Sequence, residues 1–586
     1  MKKTNIRLIY FLMLGLGLVT FSCKKTFLNQ FPNGVLGDEQ VATAKGIKEL
    51  LIGAYADLDG QFDPNNLYWQ ASPDNWVYGS ICGGDAHKGS DPSDQADALP
   101  VARFEALPTN SYLVVKWRAV YDGIARANNV LRTLKRVTDM TDDQKTQAEA
   151  EARFLRGHYA FEAKKMWNMV PWVSDSVTYV DNNYKIPNDK DIWPEIEADF
   201  QFAYQNLPPT QDEVGRVNKW AAGCYLAKAY LFEKKYPEAL TLLNAIMPEA
   251  GGAGETANGL KYQLQDRYSW NFDLAHNNSS ESVFAVQATT NDNTAGYNGN
   301  IGDMLNYPYG NGAVTGCCGF FQPSIELANS FRTDASGLPL LDGSYDDPGK
   351  AVKNDQGLAS SDSFTPDAGN LDPRLDHTVG RRGIPYLDWG VHPGASWIRN
   401  QASAGPYSPI KNVFHKSQVG SGGDNASATW APTNAINYTL IRYADVLLWA
   451  AECEVQAGSL EKARSYVNEV RQRAANTADF VKNGNQNAAN YKIGLYNTPW
   501  TDKATALKAV QMERKLELGM EGHRFFDLVR WGIADEVLNA YFKYEGQFTG
   551  DIKGATFKAN TNDYFPIPQR QIDLSSGTLK QNPGYN

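Results

Sequence analysis

The 586-residue chain is poor in cysteine, with six, at positions 23, 82, 224, 317, 318 and 453, and no CxxC pair. So few thiols over this length exclude a disulfide-built scaffold, and seven scattered histidines without HExxH spacing offer no zinc site. There is no GxxxxGK[ST] loop, no GxGxxG after a strand and no GxSxG elbow, so phosphate-cradling and serine-hydrolase chemistry lack their signatures. Positive charge is in deficit: 56 Lys and Arg face 66 Asp and Glu, for a net charge of −10. An acidic surface repels phosphate backbones and anionic headgroups, so no nucleic acid partner is expected. No apolar run reaches the roughly 20 residues that a membrane-spanning helix needs.

The longest such run, Leu8 to Phe21, follows Lys2, Lys3 and Arg7 and ends at Phe21-Ser22-Cys23. That is a secretory signal closing in a lipobox-like site, so residues 1–22 are expected to be cleaved and Cys23 lipidated. Losing three positive charges from −10 leaves −13 for the mature protein, which makes the lipid, not surface charge, the membrane attachment. Residues 23–38, with Pro32 and Gly34, read as a flexible tether.

Helical spacing of apolar residues begins past residue 40 and predicts helices over 42–58, 112–137, 142–169, 192–206 and 217–247, all in an N-terminal region 39–250. Its exception is the loop 59–109, rich in Gly, Asp, Asn, Pro and Ser yet carrying Trp69, Trp76 and Tyr78. Residues 251–586 read as a loop-rich stretch 251–430, a helical part 431–545 and an extended tail 546–586. Long loops are rare unless they do something, so function is expected in 251–430. Short strands are predicted at 281–286 and 384–389, and helices at 436–458, 460–474, 503–530 and 533–542.

Leu226, Ala227, Tyr230, Ala239, Leu243 and Ile246 fall at tetratricopeptide-repeat offsets. A second copy, Leu447, Ala451, Ala463, Val467 and Val470 with Gly458 in the turn, lies some two hundred residues on. Small alanines let paired helices approach and large residues fill between pairs, which predicts a mainly α, tetratricopeptide-like repeat scaffold with a large loop-rich ligand-binding region. Cys224 and Cys453 sit in these patterns as buried small hydrophobes, while Cys317 and Cys318 are placed to bridge each other or for one to bridge Cys82.

Five strings carry a family resemblance: Arg153-Phe-Leu-Arg-Gly-His-Tyr-Ala-Phe161, Leu440-Ile-Arg-Tyr-Ala-Asp-Val-Leu-Leu448, Asn370-Leu-Asp-Pro-Arg-Leu375, Glu521-Gly-His-Arg-Phe-Phe-Asp-Leu-Val-Arg-Trp-Gly532, and Phe565-Pro-Ile-Pro568 with Asn582-Pro-Gly-Tyr585. Together they resemble the SusD/RagB family of Bacteroidetes outer-membrane lipoproteins. The resemblance implies four tetratricopeptide-like helix pairs, a loop face that binds glycan or in some members peptide, and a TonB-dependent transporter of the SusC type as partner. Lys24 and Lys25 stand where many members carry acidic residues, which leaves the membrane face less defined than the attachment.

Glu521, Arg524, Asp527 and Arg530 recur at i+3 steps and read as a half-buried ion network that fixes helix packing, not as catalytic groups. No carboxylate pair stands out as a glycosidase dyad, so no enzyme activity and no cofactor are expected. Asn291 to Asn293 and Asp342 to Asp347 carry clustered oxygens, but neither fits the EF-hand pattern and both read as solvated turns. Sugar rings present C–H faces that stack on flat aromatics, with polar side chains reaching their hydroxyls. Aromatics inside polar loops are therefore the ligand candidates: Trp76, Tyr78, Trp270, Tyr297 and Tyr309, with Asp74 and Asn75 as polar partners. The rival readings are a peptide ligand and a surface glycoside hydrolase.

Overall fold

A computed structural model describes residues 41–62, 68–180, 182–294, 296–423 and 432–585. The expected signal, Cys23 and the tether lie outside the described residues. The first helices are α1 (Ala44–Ala56), α2 (Ser111–Leu134), α3 (Asp142–Trp167), α4 (Trp193–Asn206), α5 (Lys219–Phe232) and α6 (Tyr236–Ile246). Most start at a side chain that satisfies free backbone donors: Thr43, Asn110 and Asn218 accept from amides one turn in, and Thr141 with Gln144 closes a capping box. Pro237 opens α6, where the missing N–H costs nothing. Each helix from α2 to α6 packs on the next. Gly123 sets one of these crossings, since a Cβ there would meet the Tyr159 ring at 2.5 Å.

The second repeat copy forms α7 (Tyr443–Ala457) and α8 (Leu460–Ala474), followed by α9 (Lys503–Leu518), α10 (Arg524–Trp531) and α11 (Ala534–Glu545). Helix α6 packs directly on α7, so the two copies, distant in sequence, are successive members of one stack. All the repeat-register residues except half-buried Tyr230 are in the core. The loop-rich stretch is thus an insertion between neighbouring repeats. Its ends are pinned by a bulged antiparallel pair, β2 (Ser282–Val286) on β4 (Tyr438–Arg442). A second pair, β1 (Ala86–Gly89) on β3 (Phe320–Pro323), ties the first loop to the insertion. Tyr307, Tyr386, Trp397, Val413, Phe414 and Ile436 give the insertion a small core of its own.

Several boundaries differ from expectation. Residues 438–442 are a strand before the helix, because β2 supplies a partner that the local apolar pattern cannot announce. Residues 384–389 form a turn closed by a bridge between Pro385 and Val391, not a strand. The predicted helix 503–530 breaks at Gly519, and Glu521 leaves the i+3 series to pair across the fold with Arg442 and Lys411. The tail runs along the helical body, with the Phe565 amide donating to Met166 O and the Trp167 indole to Pro566 O, but it holds a short helix, Gln569–Leu574. Among the described residues no helix is long and apolar enough to cross a membrane, and no group of three His, Cys, Asp or Glu is placed to hold a metal.

Candidate functional site

Three segments converge where β1 runs out. Ser90, in the left-handed backbone region at φ +55°, donates its amide to Gly319 O, which brings the start of the 90–97 loop against the end of the 309–319 loop. The Tyr309 amide donates to Trp397 O at 3.0 Å, and the Gly310 amide to Gly316 O at 3.0 Å, so this loop folds back on itself beside the 394–400 segment. The loop carries a disulfide between its adjacent Cys317 and Cys318, which leaves buried Cys82 as a free thiol. Gly319 is favoured by its left-handed backbone, φ +74°, and by closeness, since a Cβ there would lie 3.1 Å from Tyr309 Cβ.

The outcome is a polar rim around a half-buried tyrosine. Arg399 Nη1 donates to Ser90 Oγ at 2.8 Å and to Asp94 Oδ2 at 2.5 Å, with its guanidinium 5.2 Å from the Tyr309 ring centre. Arg399 and Asp94 side chains are 33% and 32% exposed. Arg399 Nε and Nη2 and the Tyr309 hydroxyl make no hydrogen bond to the described residues, so donors and an acceptor remain for a ligand. Behind the rim, buried Lys88 donates to the carbonyls of Asp91 at 2.8 Å and Asp94 at 2.6 Å, and burial draws its pKa down to about 8. The Ser93 hydroxyl and amide hold the Asp91 carboxyl below its ordinary range. A guanidinium fork, a carboxylate and a phenol at the edge of a ring face are what a polyhydroxylated ring demands: hydrogen bonding around its rim and a flat surface beneath it.

Of the seven expected contact residues, Tyr309 alone is on this rim. Asp74, Asn75, Trp76 and Tyr78 belong to the interior, which corrects their assignment to a ligand surface. Trp76 and Tyr78 are 1% and 2% exposed. The Trp76 indole donates to Trp69 O and packs edge-on against Phe320 and Phe321, while the Tyr78 hydroxyl donates to Gln70 O and Tyr112 O. Asn75 donates to Glu162 at 3.1 Å. Asp74 lies beside Asp303; burial raises both carboxyl pKa values, Asp74 to about 6, and the neighbouring Asp74 charge raises Asp303 further. The segment is buried because it docks on the break after α9, where the Gly522 amide donates to Ser80 Oγ at 2.8 Å. Trp270 is half-buried elsewhere, its ring parallel to His276 at 4.2 Å with Arg267 at 5.3 Å. The Tyr297 carbonyl accepts from Gln61 at 2.7 Å, and the following Asn298 and Gly299 line a separate cleft of about 370 Å³. Reading the sequence missed Ser90, Asp94 and Arg399, which no spacing links; the one available signal was the run of glycines around Cys317 and Cys318.

A family model described as "SusD family" matches residues 280–585, more than half of the chain. The chain belongs to the SusD family. A second model, described as "Starch-binding associating with outer membrane", matches residues 64–231. The SusD-like protein P25 of Formosa agariphila is 23% identical over 616 residues, covering 100% of both chains. Among solved structures, a SusD superfamily protein from Bacteroides vulgatus superposes with a TM-score of 0.65 at 22% identity, over 92% of this chain and 99% of that one. Surface glycan-binding protein A from Bacteroides thetaiotaomicron, in complex with laminarihexaose, superposes with a TM-score of 0.62 at 21% identity and the same coverage. The SusD fold therefore spans the helix-pair body and the loop-rich insertion together. Asp292, bound by Thr294 and Asn298, and Asp342, bound by Ser344, close ordinary polar turns in this SusD-family chain.

Proposed function

We propose that this protein is a lipoprotein, anchored through Cys23 to the outer membrane and facing the cell exterior, that captures an oligosaccharide on the Tyr309–Arg399–Asp94 rim and delivers it to a SusC-type TonB-dependent transporter without cleaving it. The observation that carries the reading is the half-buried Tyr309 ring flanked by an arginine with donors to spare. Family membership and the naming of a similar protein as a surface glycan-binding protein support it. A general acid in glycoside hydrolysis needs a carboxyl with a raised pKa. On this rim Asp91 is shifted the other way, and Asp94 is tied to Arg399 and Ser90.

Calorimetry of wild type and Arg399→Ala against a panel of neutral hexasaccharides tests the binding surface. A hydrogen bond to a charged group contributes about 1.5–3 kcal/mol, so Arg399→Ala is expected to weaken binding about ten- to hundredfold. An unchanged affinity, or binding of peptides with silence toward every glycan, sinks the reading. Purification from the outer membrane in mild detergent should bring a large β-barrel with it, and its absence removes the transporter role.

A further inference from the structure

A concavity on the helical body shares no residue with the Tyr309 rim. It is a cleft of about 460 Å³ between the outer face of α2, the segments 171–180 and 182–186, and the tail helix Gln569–Leu574. Its volume falls in the range of small-ligand sites, and Phe62, Trp117, Tyr121, Tyr179 and Tyr184 all line it. Tyr179 and Tyr184 are 51% and 42% exposed, with ring centres 6.2 Å apart and planes within 29° of parallel. Beside them Val180 and Leu574 are also exposed, so this is a concentrated apolar patch and not a scatter of single side chains.

Two features distinguish the cleft from an accidental groove. Tyr179 sits at φ +63°, a conformation in which a bulky side chain is strained by on the order of 1 kcal/mol or more, yet half of its ring faces solvent, where packing returns little. The loop that presents it is built: Asn183 donates to Thr178, the Tyr184 hydroxyl donates to Asn182, and Lys185 reaches Ser576 beyond the tail helix. The second feature is Arg118. Its guanidinium rests 4.5 Å over Phe62, whose ring stacks on Tyr68 at 4.3 Å, and it makes no hydrogen bond to the described residues. Asp122, on the same helix face, is held by Arg126 at 2.7 Å.

We infer that this cleft is a second oligosaccharide-binding site, in which Tyr179 and Tyr184 stack against the C–H faces of sugar rings and Arg118 donates to their hydroxyls. An apolar protein surface seated there would leave the Arg118 guanidinium and the Tyr179 hydroxyl buried without partners, at a cost of about 1–3 kcal/mol each. A sugar satisfies both the rings and the donors. The inference rests on the glycan-binding reading but on different residues, so the two can fail separately.

The test is calorimetry on the detergent-solubilised full chain with hexasaccharides of β-1,3-glucan, β-1,4-glucan, α-1,4-glucan and β-1,4-xylan. At least one should bind at two per chain in the wild type, and at one per chain in both Tyr179→Ala/Tyr184→Ala and Arg399→Ala. Both tyrosines project into solvent, so the double variant should keep the wild-type melting temperature, and Arg118→Ala should weaken the same binding event at least fivefold. A single site removed by Arg399→Ala and indifferent to the tyrosines overturns this inference and leaves the first reading standing. Unaltered stoichiometry with loss of a co-purifying β-barrel overturns it in favour of protein docking. Silence toward the whole panel overturns both readings.

Discussion

Arginine is used in two opposite ways in this molecule. At the junction of helical body and insertion, Arg442 is fully enclosed, with Nη1 on Glu281 and Glu517 at 2.8 and 2.9 Å and Nε on Glu521 at 2.7 Å. Arg374 spans Asp372, Glu513 and Glu517, and Arg473 joins Glu281 to Glu517. On the loop rim, Arg399 meets one carboxylate and one hydroxyl and keeps two nitrogens open. Taking a charge out of water is tolerable only when its bonding is completed, so the caged arginines are architecture: they bolt the start of the insertion to α9 and the break after it. An arginine with bonding to spare, standing at the surface beside an aromatic ring, is equipped for a ligand.

The comparison predicts that damage to the cage falls on stability. Arg442→Met removes one cation from among Glu281, Glu517 and Glu521 and leaves buried negative charge uncompensated; a loss of about 3–5 kcal/mol in unfolding free energy is expected. Urea denaturation reads it. The arginines hold the Glu517 carboxyl well below its ordinary value, so its contribution is full above the unfolded-state pKa near 4.5 and fades as pH falls below it. If Arg442→Met unfolds no more easily than wild type while glycan affinity collapses, the division between architecture and recognition is wrong.

Asp74 sharpens the same contrast with the opposite sign, because no cation compensates it fully. Burial raises its pKa from 3.8 to about 6, so between those values the folded chain holds a proton that the unfolded chain has released, and stability falls as pH rises through the window. At neutral pH this costs on the order of 3 kcal/mol. Asp74→Asn cannot ionise, so the variant's stability relative to wild type, read as the difference in unfolding free energy, should be greater at pH 7.5 than at pH 4 by that order. A difference independent of pH would mean that Asp74 is solvated in the native protein, and would reopen its place at a ligand surface.

The body was legible in the sequence because helix packing writes itself locally. Leu243, Val467 and the alanines between them recur at fixed spacing, and caps such as Thr141 with Gln144 stand within one turn of what they cap. The two repeat copies announced a helical scaffold, and the structure adds that α6 packs directly on α7 across the insertion. The rim was not legible, since Ser90, Asp94, Tyr309 and Arg399 come from three loops with no shared period, brought together by one short strand pair and backbone bonds. Trp76 and Tyr78 misled for a related reason. Composition reports the polarity of a segment but not what docks on it, and here residues 519–525 bury a loop that reads as exposed.

Trp270 provides the smallest and most discriminating test. As a tryptophan in a polar loop it has the composition of a stacking platform, yet His276 lies parallel against it at 4.2 Å and Arg267 sits 5.3 Å from its centre. A ring already engaged by a histidine and an arginine has little surface to offer a sugar without first breaking those contacts, each a modest interaction of about 0.5–1.5 kcal/mol. Trp270→Ala should therefore cost stability of about 1 kcal/mol and change glycan affinity less than twofold, as measured by urea unfolding and calorimetry on one preparation. Should Trp270→Ala weaken binding as strongly as Arg399→Ala, the ligand must displace His276 and extend beyond the Tyr309 rim, and the recognition surface would be a longer groove crossing the insertion.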